Sequence, residues 1–140
     1  MTLTAEIELM IQQLQLLPHP EGGFYRERYR SPLSVQRSDG ALRSALTLID
    51  FLLPEGVQSA WHRVLGADET WHFCGGSPLL LHCQADQEPI EEFRLGAHPL
   101  PTWQLIPAGC WQAARSTGAW TLVQCTVAPG FSFDDFEMRH

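Results

Sequence analysis

The sequence of 140 residues contains no lysine and no asparagine. The absence of lysine excludes Schiff-base chemistry and every mechanism in which a lysine is the nucleophile or the base. Nine arginines stand against 16 acidic residues, which gives a formal net charge of -7. A chain with so few cations has no basic face to release counterions, so we expect no binding to nucleic acid or to an anionic membrane.

Two further signals are missing. The four cysteines form no C-x-x-C pair, which predicts buried free thiols instead of a zinc knuckle or a redox motif. No apolar run approaches the roughly 20 residues of a membrane helix, and the first residues lack the charge pattern of a signal peptide. We therefore expect a cytoplasmic protein, and the length predicts one domain over residues 1–140.

Helical periodicity is confined to the beginning of the chain. Apolar residues recur at helical spacing at Ile7, Met10, Ile11, Leu14 and Leu17. Thr4 is available as the N-cap and Pro18 stops the pattern, so the sequence predicts an amphipathic helix over about residues 5–17.

The rest of the chain, about residues 20–138, is a series of short β-rich runs between turn residues. About nine such runs follow one another, and breakers such as "LPEG", "GGSP" and "DQEP" separate them. No crossover helix lies between them. The pattern therefore predicts a mainly β protein, an antiparallel sandwich or small barrel with an N-terminal helix.

One run, "RERYR", concentrates positive charge. Side chains alternate along a strand, so Arg26, Arg28 and Arg30 are expected on one face and Tyr25, Glu27 and Tyr29 on the other. The arginine face could hold an anionic ligand, or it could be a solvated or interface face.

The stretch "WHRVLGADETWHF" at residues 61–73 holds two histidines and a glutamate. Residues 57–64 and 69–74 read as two strands of one hairpin with a turn between them. If their inner faces meet, His62 and Glu69 lie together inside the barrel. Alternation sends His72 to the opposite face unless a bulge re-aims it.

These residues carry a resemblance to a known motif. "GVQSAWHRVLGADETWHFCGG" resembles the first cupin motif, with Gly56, His62, Glu69 and Gly76 on pattern and Val64 in place of the second histidine. "PAGCWQ" is similar to the core of the second motif, with Gln112 where the histidine belongs. Together with "LLPHPEGGFYRERYRS" and "TVAPGFSFDDFEM", they identify the chain as a member of the cupin family DUF985, also called Cupin_5.

The resemblance implies a conical double-stranded β-helix, or jelly-roll barrel, with a preceding helix and an enclosed pocket for a small molecule. It also implies a homodimer. The biochemical function of the family is largely unassigned. Its members look similar to metal-free epimerases of dTDP-linked hexoses and to plant auxin-binding cupins, but likeness of fold is a weak argument for function.

Cupin metal sites use three histidines and a carboxylate. Of that set this sequence keeps His62 and Glu69, while Val64 cannot bind a metal and Gln112 offers only a neutral amide oxygen. We expect no cofactor. If a divalent metal binds, its ligands would be His62, Glu69 and Gln112, and His72 could join them if its strand is bulged.

A histidine beside a glutamate can instead act as a general base. The sequence predicts His62 as the base, Glu69 as the carboxylate that orients it, and Tyr25 or Tyr29 as the acid. The predicted ligand contacts are Glu27, Trp71, Phe73, Gln112 and His72. An epimerase-like or isomerase-like enzyme, a binding module without chemistry, and a metal-dependent oxygenase or isomerase remain open, and His62 with Glu69 could also be a structural pair.

Overall fold

A computed structural model describes residues 3–139 of the chain. These residues contain the helix α1 (Ala5–Leu14), a 3-10 helix (Phe133–Asp135) and 13 β-strands. The first seven strands are β1 (Leu17–Pro18), β2 (Phe24–Arg30), β3 (Ser34–Gln36), β4 (Leu42–Ser44), β5 (Thr47–Pro54), β6 (His62–Val64) and β7 (Asp68–Gly76). The remaining six are β8 (Leu79–Gln84), β9 (Glu91–Leu95), β10 (Trp103–Ile106), β11 (Trp111–Ser116), β12 (Trp120–Ala128) and β13 (Phe136–Met138).

The N-terminal helix begins as the sequence predicts and ends earlier. The side chain of Thr4 accepts a hydrogen bond from the backbone N–H of Ile7 at 3.2 Å, which confirms the N-cap. The helix ends at Leu14 instead of residue 17, because Gln15 adopts a left-handed conformation with φ 55°. Ile7 packs with Leu52 on the outer face of the barrel.

The strands form two large antiparallel sheets, which confirms the mainly β barrel. One sheet has the order β1-β2-β5-β12-β7-β10 and the other the order β13-β6-β11-β8-β9. Strands β3 and β4 form a separate hairpin. The sequence patterns did not predict the additional strands because β1, β3, β4 and β13 have only two or three residues each, too few to show an alternating pattern.

The hairpin predicted for His62 and Glu69 is wrong. Strand β6, which carries His62, lies in the five-stranded sheet, whereas β7, which carries Glu69, lies in the six-stranded sheet. The predicted strand over residues 57–64 is also shortened to His62–Val64. The turn after β6, where Gly66 has φ 74°, passes the chain from one sheet to the other. The two side chains therefore enter the barrel from different sheets.

His72 lies on the outer face of the six-stranded sheet. It is in register with Trp103 and Gln124, and the irregularity between β7 and β12 comes only later, between Leu122 and Val123. No bulge therefore re-aims His72 toward the interior. Its ring stacks on Trp103, which is 55% exposed.

Over residues 3–139, the structure has no helix with the length and apolar character needed to cross a lipid bilayer.

Candidate functional site

A pocket opens into the barrel between the two sheets. It is partly enclosed by the sheets and partly open to solvent. Its polar lining includes His19, Glu21, Tyr25, His62 and Glu69, and its walls are mainly apolar, among them Ile49, Phe51, Val64, Val127, Phe131 and Phe136. A mainly apolar wall with a few convergent polar groups is typical of a small-molecule site.

His62 is almost fully buried and uses both ring nitrogens. Its Nδ1 is 2.8 Å from the carbonyl oxygen of Ala60, and its Nε2 is 2.9 Å from a carboxylate oxygen of Glu21. Burial by itself lowers the pKa of His62, but the charge of Glu21 and the hydrogen bond to it outweigh burial and raise the pKa to about 9. The ring is therefore an imidazolium at neutral pH, and it donates to both partners.

Glu21, which no sequence pattern singled out, is brought into the pocket by the turn "PEGG". Its carbonyl oxygen accepts from the backbone N–H of Ala60 at 2.7 Å, so the turn is fixed beside the segment that leads to His62. Gly23 has φ 77°, and a Cβ there would lie 2.7 Å from the carbonyl oxygen of Leu52. An acidic residue directly before two glycines was the signal available in the sequence.

His19 is the second pocket residue that the sequence did not predict. Its Nδ1 accepts a hydrogen bond from the backbone N–H of Glu21 at 3.0 Å, and its ring meets that of Tyr25 edge-on at 4.5 Å. Burial lowers the pKa of His19. At neutral pH, His19 is therefore an uncharged ring that supports Glu21 and Tyr25.

Glu69 faces the pocket with a neutral chain of hydrogen bonds behind it. Gln112 donates to Oε1 of Glu69 at 2.9 Å, and Trp71 donates to the amide oxygen of Gln112 at 2.7 Å. Burial raises the pKa of Glu69 to about 7. Glu69 can therefore hold or release a proton near neutral pH, the property required of a general acid or base.

Three predicted ligand contacts lie behind the pocket wall. Trp71 and Gln112 are 0% and 1% exposed, and they support Glu69 from the core. Phe73 packs against the same core cluster. Trp71 and Phe73 do point inward, as alternation predicts, but the interior at the level of these three side chains is filled by other side chains.

The other two predicted contacts lie outside the lining of the barrel pocket. His72 lies on the outer face of the six-stranded sheet, away from the pocket. Glu27 is exposed and forms an ion pair with Arg30 at 2.6 Å, outside the lined pocket. Arg30 also donates to the carbonyl oxygen of Phe131 at 3.1 Å, and Phe131 is part of the pocket wall. Glu27 itself lines an open surface depression with Leu17, Tyr25 and Arg26, outside the barrel pocket.

The arginines of β2 do not form a common anion-binding face. The pairing of β2 with β5 shifts between Glu27 and Tyr29, which interrupts the alternation. Arg28 binds Asp50 at 2.5 Å, and Arg30 binds Glu27. The charges of Arg28 and Arg30 are matched by these carboxylates, whereas Arg26 donates to the backbone carbonyl of Gln15 at 3.4 Å.

The donor atoms proposed for a metal are engaged with protein partners. Nε2 of His62 bonds to Glu21, and the side-chain amide of Gln112 bonds to Glu69 and Trp71. Over residues 3–139, no group of three or more histidine, cysteine, aspartate or glutamate side chains has an arrangement that could hold a metal ion.

The comparisons with known proteins agree with this fold. A hypothetical protein from Leishmania major is 33% identical, with 94% of this chain and 86% of that chain covered and a TM-score of 0.87. Protein SO0799 from Shewanella oneidensis is 35% identical over 99% of this chain and 85% of that chain, with a TM-score of 0.84. The capsular polysaccharide assembling protein CapF from Staphylococcus aureus is 13% identical, with a TM-score of 0.66. The match covers 88% of this chain and 33% of the CapF chain, and it shows a shared fold alone. No curated protein matches the chain.

The two facing antiparallel sheets and the pocket between them define a cupin barrel. The model of the family described as "Cupin superfamily (DUF985)", Cupin_5, matches residues 8–139. The chain belongs to this family.

Proposed function

We propose that this protein binds a small organic molecule in the barrel pocket and catalyses a metal-independent proton transfer on it, in the manner of an isomerase or epimerase. The observation that carries the proposal is the carboxyl group of Glu69, which is 7% exposed, faces the pocket and has a pKa raised to about 7 by burial. A base with a pKa near working pH removes a proton next to a carbonyl group most effectively.

The geometry favours Glu69 over His62 as the base. A base must be unprotonated, whereas the pKa of His62 is about 9 and both of its ring nitrogens already have partners. The predicted role of His62 as base stays a prediction. In our proposal, His62 and Glu21 form an ion pair whose imidazolium stabilises the ionised form of Glu69.

Tyr25 is the proposed acid. Its ring lines the same pocket as Glu69, and the edge-on contact with His19 fixes its position. When Glu69 accepts a proton from the carbon next to a carbonyl group, the Tyr25 hydroxyl donates a hydrogen bond to the carbonyl oxygen, where negative charge develops. Delivery of a proton to the opposite face of that carbon completes an epimerisation. Delivery to the former carbonyl carbon of a hydroxyketone, with transfer of its hydroxyl proton to the former carbonyl oxygen, completes an isomerisation, and neither reaction needs a cofactor.

Deuterium uptake tests this proposal even though the substrate is unidentified. The protein is incubated in D₂O with a panel of neutral ketoses and hydroxyketones, and NMR records the exchange of the proton next to each carbonyl group. We expect Glu69→Gln to reduce the exchange by about a hundredfold or more, and Tyr25→Phe to reduce it less. Glu55→Gln, which changes an exposed carboxyl group, is the matched control. Exchange that is unaffected by Glu69→Gln overturns the proposal.

A second function, small-molecule binding without chemistry, is favoured by the mainly apolar wall and by the internal partners of His62. In that case, a compound that binds the pocket raises the melting temperature, but no member of the panel exchanges deuterium. The two functions therefore give different results in the same two measurements.

The assembly implied by the family resemblance, a homodimer, is part of the proposal. Light scattering coupled to gel filtration tests it, with a mass close to twice 15.8 kDa as the expected result. A mass equal to that of one chain contradicts it.

A further inference from the structure

The pocket has an unusual balance of charge, because it contains acidic groups and no arginine. All nine arginines lie within the described residues 3–139, and none of them lines the pocket. The sequence has no lysine. The titratable residues in the lining are two histidines, two glutamates, one tyrosine and one cysteine.

His62 is the one cation among the described residues that line the pocket, and neither of its N–H groups is free to donate a hydrogen bond to a ligand. Nδ1 of His62 donates to Ala60 and Nε2 donates to Glu21. An imidazolium has only these two N–H groups. A carboxylate or phosphate that enters the pocket would therefore meet no free charged donor, and would approach two carboxyl groups.

The acceptors in the pocket suit a ligand that donates hydrogen bonds. Glu21 and Glu69 present carboxyl oxygens, and Glu69 has protein donors only at the side facing Gln112 and Cys125. The remaining wall is formed by aliphatic and aromatic side chains such as Val127, Phe131 and Phe136. A hydroxyl group on an apolar ring or chain matches both parts of this surface.

We infer that the pocket selects an uncharged ligand that carries a hydroxyl group on a largely apolar body, and that it rejects carboxylates and phosphates. This inference rests on the proposed function, because it concerns the ligand of the same site, and it adds the charge class of that ligand. The physical cause is the repulsion between an anion and Glu69, with the Glu21 charge beside it and no uncommitted cation to offset it.

Two probes of the same shape test the charge selection. Benzyl alcohol and benzoate share an aromatic ring and differ in charge, and their affinities are measured by NMR titration at pH 8, where Glu69 is mostly ionised. We expect benzyl alcohol to bind about tenfold more tightly or better, a ratio that corresponds to one pKa unit of interaction. Val127→Phe, which fills the pocket, should abolish binding of the probes and so locate it.

Glu69→Gln removes the repulsive charge while it keeps the shape of the side chain. We expect the affinity for benzoate to rise about tenfold in this variant, and the affinity for benzyl alcohol to change much less. Glu55→Gln should leave both affinities unchanged. The wild-type protein provides an independent measurement at pH 6, where Glu69 is mostly protonated and benzoate is still an anion. The ratio of the affinities for benzyl alcohol and benzoate should therefore be smaller at pH 6 than at pH 8.

The outcomes separate this inference from the proposed reaction. Benzoate that binds wild type as tightly as benzyl alcohol, or an unchanged preference at pH 6 and in Glu69→Gln, overturns the inference, as does a failure of benzyl alcohol to bind. The deuterium exchange at Glu69 would still stand in those cases. Loss of all exchange with the charge preference intact overturns the reaction and leaves the ligand class in place.

Discussion

Two buried carboxyl groups, Glu69 and Asp135, have opposite electrostatic surroundings. They are 7% and 5% exposed, but Glu69 lies deep between the sheets, whereas Asp135 lies close to the protein surface under its two arginines. Arg43 donates to both oxygens of Asp135 at 2.8 and 2.9 Å, and Arg37 adds a contact at 3.0 Å. The hydrogen bond from Arg43 makes the largest contribution, and together with that from Arg37 it holds the pKa of Asp135 below its usual value. Burial instead raises the pKa of Glu69 to about 7.

The difference shows that the depth of a carboxyl group and the charge of its partners together set its pKa and its role. Asp135 fastens the β3–β4 hairpin to the 3-10 helix, since Arg37 directly follows β3 and Arg43 lies within β4. Asp135 therefore stays charged at neutral pH and has a structural role. Glu69 has only an amide, a thiol and a nearby imidazolium, and it is able to exchange a proton at neutral pH.

The largest expected effect is on the pH dependence of stability. The unfolded chain releases the Glu69 proton near pH 4.5, and the folded chain releases it near pH 7. The folded state thus binds more protons between these values, and stability falls by about 2 to 3 kcal/mol as the pH rises through this window. Glu69→Gln should remove that fall, which urea unfolding at pH 5 and pH 7 measures.

His62 provides an internal reference for the same experiment. Its pKa is raised from 6.5 to about 9, so the stability it contributes is complete below pH 6.5 and is lost as the pH rises toward 9. Glu69→Gln should still lose stability between pH 7 and pH 9. A variant with the same slope as wild type between pH 5 and pH 7 would show that Glu69 does not have the raised pKa.

The second effect tests the other member of the comparison. Asp135→Ala leaves two arginines without their shared carboxylate and should lower the free energy of unfolding by about 1 to 2 kcal/mol at pH 7, because solvent partly screens the ion pairs. Asp134→Ala is the matched control, since Asp134 is the exposed neighbour. Equal stability of the two variants would contradict a structural role for Asp135.

The third effect concerns the support of Glu69. Gln112→Leu removes the amide that donates to Glu69 and leaves the indole N–H of Trp71 without its acceptor. We expect a loss of about 1 kcal/mol or somewhat more in unfolding free energy. Because the hydrogen bond from Gln112 lowers the pKa of Glu69, that pKa should rise further. An unchanged pH dependence would indicate that the hydrogen bond has no influence on Glu69.

The smallest effect is expected on the outer face of the same sheet. His72→Ala removes a partly buried ring that stacks on Trp103 and lies outside the pocket. The unfolding free energy should change by less than about 0.5 kcal/mol, and binding of benzyl alcohol should stay as in wild type. A change in that affinity would mean that His72 influences the pocket from the outer face.

The sequence determined a large part of the fold and a smaller part of the site. The spaced motifs identified the cupin barrel, and Thr4 and the apolar spacing identified the helix. Alternation correctly placed His62 and Glu69 inside and His72 outside, because period 2 is a local property of a strand. It could not tell whether an inward residue lines a cavity or fills the core, and so Trp71 was predicted as a ligand contact. Gln112 was predicted as one from its position in the second cupin motif, which does not show how deep the side chain lies.

Only the tertiary structure decided which charged groups meet. Glu21 lies 41 positions before its partner His62 in the sequence, and Gln112 lies 43 positions after Glu69. These contacts depend on how two sheets and a crossing turn are assembled, and no local pattern encodes them. The sequence motif therefore identified His62 and Glu69. Burial and long-range contacts determined that His62 forms an ion pair with Glu21 and that the pKa of Glu69 is raised.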